Sequence, residues 1–239
     1  MSKFFAIIAF AVALPMSNPA HAYIKCDKKA DAKAKKKCEK NMAKSIAKQR
    51  KGSTALKPSQ LGDEFAFLDE NNPFDTDDWY VGVSKIGVKK IDKLSMKVAK
   101  MSATVRLAKY TGYINKTDKA AASKLGGILL PKLQALQEDG QKLVEEIQGL
   151  VADPAALVQE NPTAALKIPG ALGKLATNSV KAVGDIPGAL TAVVPIAGGA
   201  AAGAIAGAAA KVGDAADQAT GAVNDAKEAA ADVKEAAGN

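Results

Sequence analysis

The sequence predicts an all-α protein: a helical hairpin or bundle, a long Ala/Gly-rich C-terminal helix and one partly irregular acidic loop. Three observations predict it. Ile91, Leu94, Val98, Met101, Val105 and Ala108 recur at alternating spacings of 3 and 4, which aligns them on one stripe of a helix. Leu129, Leu133, Leu136, Gly140, Leu143, Ile147 and Leu150 do the same. A third stripe of small residues keeps this spacing from Gly198 to Ala237. Of the 239 residues, 48% are hydrophobic but only 5% aromatic. Ala and Gly side chains bury little area each, so a modest core is expected.

Residues 1–22 read as a secretory signal. Lys3 supplies positive charge, Phe4 to Leu14 is an unbroken apolar run, and Ala20-His21-Ala22 is a small-x-small cleavage site. The run is too short to span a bilayer. Cys26 follows Tyr-Ile-Lys, which lacks the small residues expected before a lipid-modified cysteine. The expected destination is the periplasm, outer envelope or extracellular space. His21 is the only histidine and leaves with the signal. That excludes Ser-His-Asp and Cys-His catalysis and any His-ligated zinc. No Gly-rich phosphate loop, HExxH or CxxC pair is present. A non-enzymatic protein is expected, with no catalytic, cofactor or metal site.

Residues 23–57 read as a basic N-terminal helix. Cys26 and Cys38, the disulfide candidates, flank the helix-favouring run Asp27 to Lys37. Twelve residues of helix rise about 18 Å, whereas bridged Cα atoms lie within roughly 7 Å. A continuous helix and a Cys26–Cys38 bond exclude one another. An intramolecular bond, an intermolecular bond and free thiols all stay open. Lys33, Lys35, Lys36 and Lys37 are the residues expected to meet an anionic surface.

Charge is blocked along the chain. Residues 23–61 hold 13 Lys or Arg against 3 acids, 63–78 hold seven acids and no base, and 85–142 hold 13 bases against 4 acids. Such runs are either solvated faces or self-complementary segments, the acidic loop folding over basic helices or pairing with another molecule. The loop, residues 58–84, carries the turn Asn71-Asn72-Pro73 and five aromatics: Phe65, Phe67, Phe74, Trp79 and Tyr80. These either pin the loop to the bundle or form a partner patch. Trp79 to Val83 has the composition of a short strand but no evident partner.

Residues 85–151 read as an antiparallel helical hairpin, the two helices joined through Thr111 to Gly127. Residues 152–195 read as short helices of about ten residues, each entered through its proline: Pro154, Pro162, Pro169, Pro187 and Pro195. Within them Ile168-Pro169-Gly170-Ala171-Leu172 recurs as Ile186-Pro187-Gly188-Ala189-Leu190. Residues 196–239 form the glycine-zipper helix and an Ala-rich charged tail. Ile186 to Ala210 carries no charge, and Gly199, Gly203 and Gly207 form GxxxGxxxG. Such glycines permit close backbone approach in membranes or in helix pairs. This motif resembles one found in many envelope proteins and pore-forming toxins.

Three functions compete. One is an exported protein acting at a membrane or envelope surface through its basic helices and the zipper. Another is a soluble secreted structural or binding protein that self-assembles by packing zipper against helix. Against the third, an enzyme using carboxylates or lysine, count the absent histidine and nucleophile motif. The expected partners are an anionic membrane surface or envelope component, and further copies of the chain as a homo-oligomer. Nucleic acid is not expected, because residues 23–61 hold one aromatic, Tyr23, beside their charge.

Three interior glycines cost a solvated helix roughly 3 kcal/mol against alanine, so the zipper implies a compensating contact. Gly203→Leu should abolish that contact. Lower monomer melting would locate it within the fold. Dissociation of an oligomer would locate it between copies, and loss of vesicle leakage would locate it in lipid. A variant unchanged in all three measurements makes the zipper incidental.

Overall fold

The computed structural model describes Cys26 and residues 29–70, 72–76 and 79–197. The signal peptide, the zipper glycines Gly199, Gly203 and Gly207, and the Ala-rich tail lie outside the described residues. The protein is all-α, with one small sheet among the described residues. Helix α1 spans Ala32–Arg50, α2 Lys89–Ile114, α3 Lys119–Ala152, α4 Ala155–Glu160, α5 Ile168–Gly184 and α6 Ile186–Ala197. Strands β1, Ser53–Ala55, and β2, Gly82–Ser84, pair antiparallel with Thr54 opposite Val83.

The core is a three-helix bundle. α2 and α3 form the expected antiparallel hairpin. α5 and α6 follow end to end and lie against both. Every residue of the α2 stripe is buried, as are Leu129, Leu133, Gly140, Leu143, Ile147 and Leu150 of α3. The connection is tighter than the glycines suggested. Residues 115–118 make the turn, and Asp118 caps α3 by accepting from the Ala121 amide at 2.9 Å. Gly126 is helical and buried because α6 needs it small: a Cβ there would lie 3.3 Å from the Ala197 backbone nitrogen.

Residues 168–197 are less broken than their prolines imply. Pro169 occupies the first turn of α5, where its missing donor costs nothing. Pro131 and Pro195 sit inside helices on exposed positions, where the freed carbonyls meet water. The pentapeptide repeat is explained by geometry. Eighteen residues at about 100° each are five full turns, so both copies face the same way. Ile168, Leu172, Ile186 and Leu190 are all buried.

Buried hydroxyls are satisfied locally. Thr104 and Thr111 donate to carbonyls four residues back, and Ser179 to Ala176. The core therefore carries little unpaired polarity. Trp79 Nε1 is the exception: it is buried with no hydrogen-bond partner among the described residues.

Two expectations are corrected at the N-terminal end. The basic helix stops at Arg50 rather than 57, because Gly52 adopts φ 79° and turns the chain. The strand without an evident partner has one, in Ser53–Ala55. The acidic segment crosses between them in three short 3-10 turns, Pro58–Leu61, Asp63–Leu68 and Pro73–Asp75. Phe65, Leu68 and Phe74 are buried and hold it to the bundle. Glu64 meets Lys132 at 2.8 Å. That hydrogen bond holds the Glu64 carboxyl below the usual carboxylate range.

A pair of glycine substitutions tests the packing. A Cβ on Gly140 would meet Val183 Cγ2 at 2.9 Å, whereas one on Gly173 meets nothing within 4 Å. Gly173→Ala should raise stability by about 1 kcal/mol in denaturant titration. Gly140→Ala should lower it by about 1 kcal/mol or more, because overpacking outweighs the propensity gain.

Candidate functional site

α1 starts at Asp31, whose carboxylate accepts from the Ala34 amide at 2.7 Å. It carries eight Lys or Arg and one acid, and only Ile46 is buried. One narrow row, Ala34, Cys38, Met42 and Ile46, is half-buried to buried, and so thin an apolar face holds a helix weakly. Like charges four apart destabilise it further. Two anchors compensate.

The first anchor is a Cys26–Cys38 disulfide, with Cα atoms 5.6 Å apart. The geometric conflict disappears because the helix begins only at Ala32. Asp31 is extended at φ −131°, ψ 155°, outside the helix, and Cys26 sits beside Cys38. The bond is intramolecular. The second anchor is at the other end. The Arg50 guanidinium lies 5.1 Å over the Tyr80 ring and bonds the Asp75 carbonyl. The Tyr80 and Ser53 hydroxyls share a hydrogen bond of 2.5 Å.

Of the four lysines expected to meet an anionic surface, Lys33, Lys36 and Lys37 are exposed and Lys35 is half-buried. The helix groups them differently from the sequence run. Lys33, Lys37, Lys40, Lys44 and Lys48, at spacings of 4, 3, 4 and 4, form one exposed stripe. It is about 22 Å long. Lys40, Lys44 and Lys48 were missed, although their spacing alone could have found them.

A second basic feature was not foreseen. A groove of about 770 Å³ runs over α2, between α1 with the sheet on one side and α5 on the other. Six cations and one acid, Asp185, line it. Asp185 is paired with Lys109 at 3.0 Å. Lys167, Lys174 and Lys181 stand seven residues apart on the α5 wall, and Leu166 beside them is 90% exposed. Val98 and Val105 contribute to the floor.

Arg106 reaches the groove from α2 and donates to the Tyr80 carbonyl at 2.7 Å. Burial pulls its guanidinium below the ordinary arginine value, partly offset by the charge of Asp185. One turn further on, burial and then Tyr113 push the Tyr110 phenol up. Tyr110 packs edge-on against Trp79 at 5.4 Å.

The chain matches no protein-family model, no curated protein and no solved structure. Its function is therefore argued from these surfaces alone.

One helical stretch among the described residues, Pro162–Ala197, is long and apolar enough to cross a membrane by length and composition. In the fold its apolar side packs on α2 and α3 as the third helix of the bundle.

The disulfide anchor predicts a local effect. A bridge closing a loop of this size contributes about 3 kcal/mol. Replacing Cys26 and Cys38 with Ser should speed amide exchange in residues 33–45 by about a hundredfold. Exchange in α2 and α3 should not change. Global loss of protection would instead make α1 part of the bundle's cooperative unit.

Proposed function

We propose that this is an exported, non-enzymatic protein that attaches to an anionic envelope or membrane surface through the lysine stripe of α1. The observation that carries the reading is a helix with five aligned, exposed lysines opposite a thin apolar row, its first half closed by a disulfide. A helix so basic loses stability to charge repulsion, and an anionic surface recovers it. The disulfide fits export, since such bonds persist in oxidising compartments.

Magnitudes define the mode. Each lysine near an anionic surface contributes about 1 kcal/mol, so five give about 5 kcal/mol. That corresponds to sub-millimolar attachment at best. Stable residence then takes a second contact, which the zipper residues Gly199, Gly203 and Gly207 would supply.

The alternative is self-assembly in solution, and one observation favours it. Ile186, Ala189, Leu190 and Val193 are buried in the bundle. Of the charge-free run, only residues 198–210 lie beyond α6. As a helix, 13 residues would reach about 20 Å, short of the roughly 30 Å hydrocarbon core. Packing against a second helix asks for no such length.

Flotation with vesicles decides between the two. The protein should float with phosphatidylglycerol vesicles, remain behind with phosphatidylcholine vesicles, and be released by salt. Lys33→Gln, Lys37→Gln and Lys40→Gln together should weaken binding about a hundredfold. Equal flotation with both lipids, or an unchanged triple variant, overturns the surface reading. A concentration-dependent oligomer without flotation supports self-assembly.

A further inference from the structure

Arg106 poses a physical question that surface attachment through α1 does not answer. Its side chain is half-buried, yet among the described residues it makes one hydrogen bond, to the Tyr80 carbonyl. No carboxylate among them lies within ion-pair distance of it, and Asp185 is engaged by Lys109. A guanidinium carries five donors. A half-buried cation that among the described residues has only the more distant charge of Asp185 is costly, and this one opens onto a groove.

We propose that the groove over α2 binds an anionic amphiphile, with its phosphate or carboxylate headgroup on Arg106 and its apolar chain along α2. The Arg106 fork suits a compact oxyanion, which it can bind through two parallel bonds. Lys167, Lys174 and Lys181 repeat at seven residues along one wall, about 10.5 Å apart, and draw negative charge toward the opening. Val98 and Val105 repeat at the same interval on the floor, which places an apolar strip beside the cationic rim. The volume of about 770 Å³ falls in the range of small-molecule sites, roughly 300–1,000 Å³.

A second anionic occupant exists in the chain itself. Residues 212–239 hold six acids and two lysines. The recessed guanidinium favours a small headgroup over a helical peptide, because a compact oxyanion can enter where a peptide backbone cannot follow. The groove residues tested here are not the stripe residues tested by flotation. Loss of one activity therefore leaves the other measurable.

Calorimetry on the full chain tests the proposal with three probes: lysophosphatidylglycerol and lysophosphatidylcholine, each below its micelle concentration, and inorganic phosphate. Lysophosphatidylglycerol should bind one per chain. Lysophosphatidylcholine and inorganic phosphate should each bind at least about tenfold more weakly. Arg106→Lys keeps the charge but loses the fork, and should weaken lysophosphatidylglycerol about tenfold. Should that variant fail to fold, Lys174→Gln with Lys181→Gln, both on the exposed wall, should weaken binding by a similar factor. Equal affinity for the two lysolipids, or variants that bind like the parent, overturns the headgroup assignment. Inorganic phosphate binding as tightly as lysophosphatidylglycerol overturns the amphiphile. Binding that appears only when Asp225, Glu228, Asp232 and Glu235 are changed to Asn or Gln assigns the groove to the chain's own acidic segment and overturns the proposal. Absence of binding by every form does so too.

Discussion

Gly140 stands where three helices converge, and its missing side chain sets how closely they approach. A Cβ there would press on Val183 Cγ2 at 2.9 Å and lie 3.4 Å from Met101 Sδ. α3 offers a flat spot, and the end of α5 settles into it. From that point α6 continues toward Gly126, where a Cβ would again crowd it. Small residues at both places keep α5 and α6 in line along α2 and α3. Close packing of this kind compensates for a core poor in aromatics, because dispersion falls steeply with separation. The same placement turns the outer side of α5, with its lysines, toward the opening above α2.

α1 is governed by different physics. It buries one residue, so tertiary packing contributes little to its stability. The Cys26–Cys38 bond restricts its first half, and the Arg50–Tyr80 stack and the two-stranded sheet hold its end. The helix can then stay highly charged, since its order depends only in part on its thin apolar row. Covalent closure replaces burial here, a common solution in exported proteins with limited cores.

The acidic segment is held in place by apolar groups more than by charge. Its ion pairs to Arg50 and Lys132 are partly exposed, and such pairs contribute about 1 kcal/mol or less. Phe65, Leu68 and Phe74 are fully excluded from water and contribute roughly 1.5–3 kcal/mol each. The charges fix orientation: Lys132 spans Glu64 and the Phe65 ring, and Asp75 meets the end of α1. Tyr80, at the close of the segment, supplies the carbonyl that Arg106 bonds. The loop thereby forms part of the groove.

The all-α class, the two heptad helices and their buried faces were legible in the sequence, because a 3.6-residue period is a local property of the chain. The pentapeptide repeat was visible too, and its 18-residue spacing already encoded a shared face. The lysines of α1 were found in part, since their count is local and their stripe follows from helical spacing. The β1–β2 pairing was not legible: three residues such as Ser53-Thr54-Ala55 carry no pattern, and their partners lie about thirty residues away in the chain. The disulfide could not be chosen from spacing, because the choice depended on the extended conformation of Asp31, which separates Cys26 from the helix that carries Cys38. The end-to-end course of α5 and α6 ran against the proline count, since a proline in a first turn or on a wet face breaks little. Arg106 and its groove belong wholly to tertiary structure. A lone arginine in a basic helix reads as solvated. Only the approach of Tyr80, α1 and α5 from distant parts of the chain half-buries it and leaves it facing an opening.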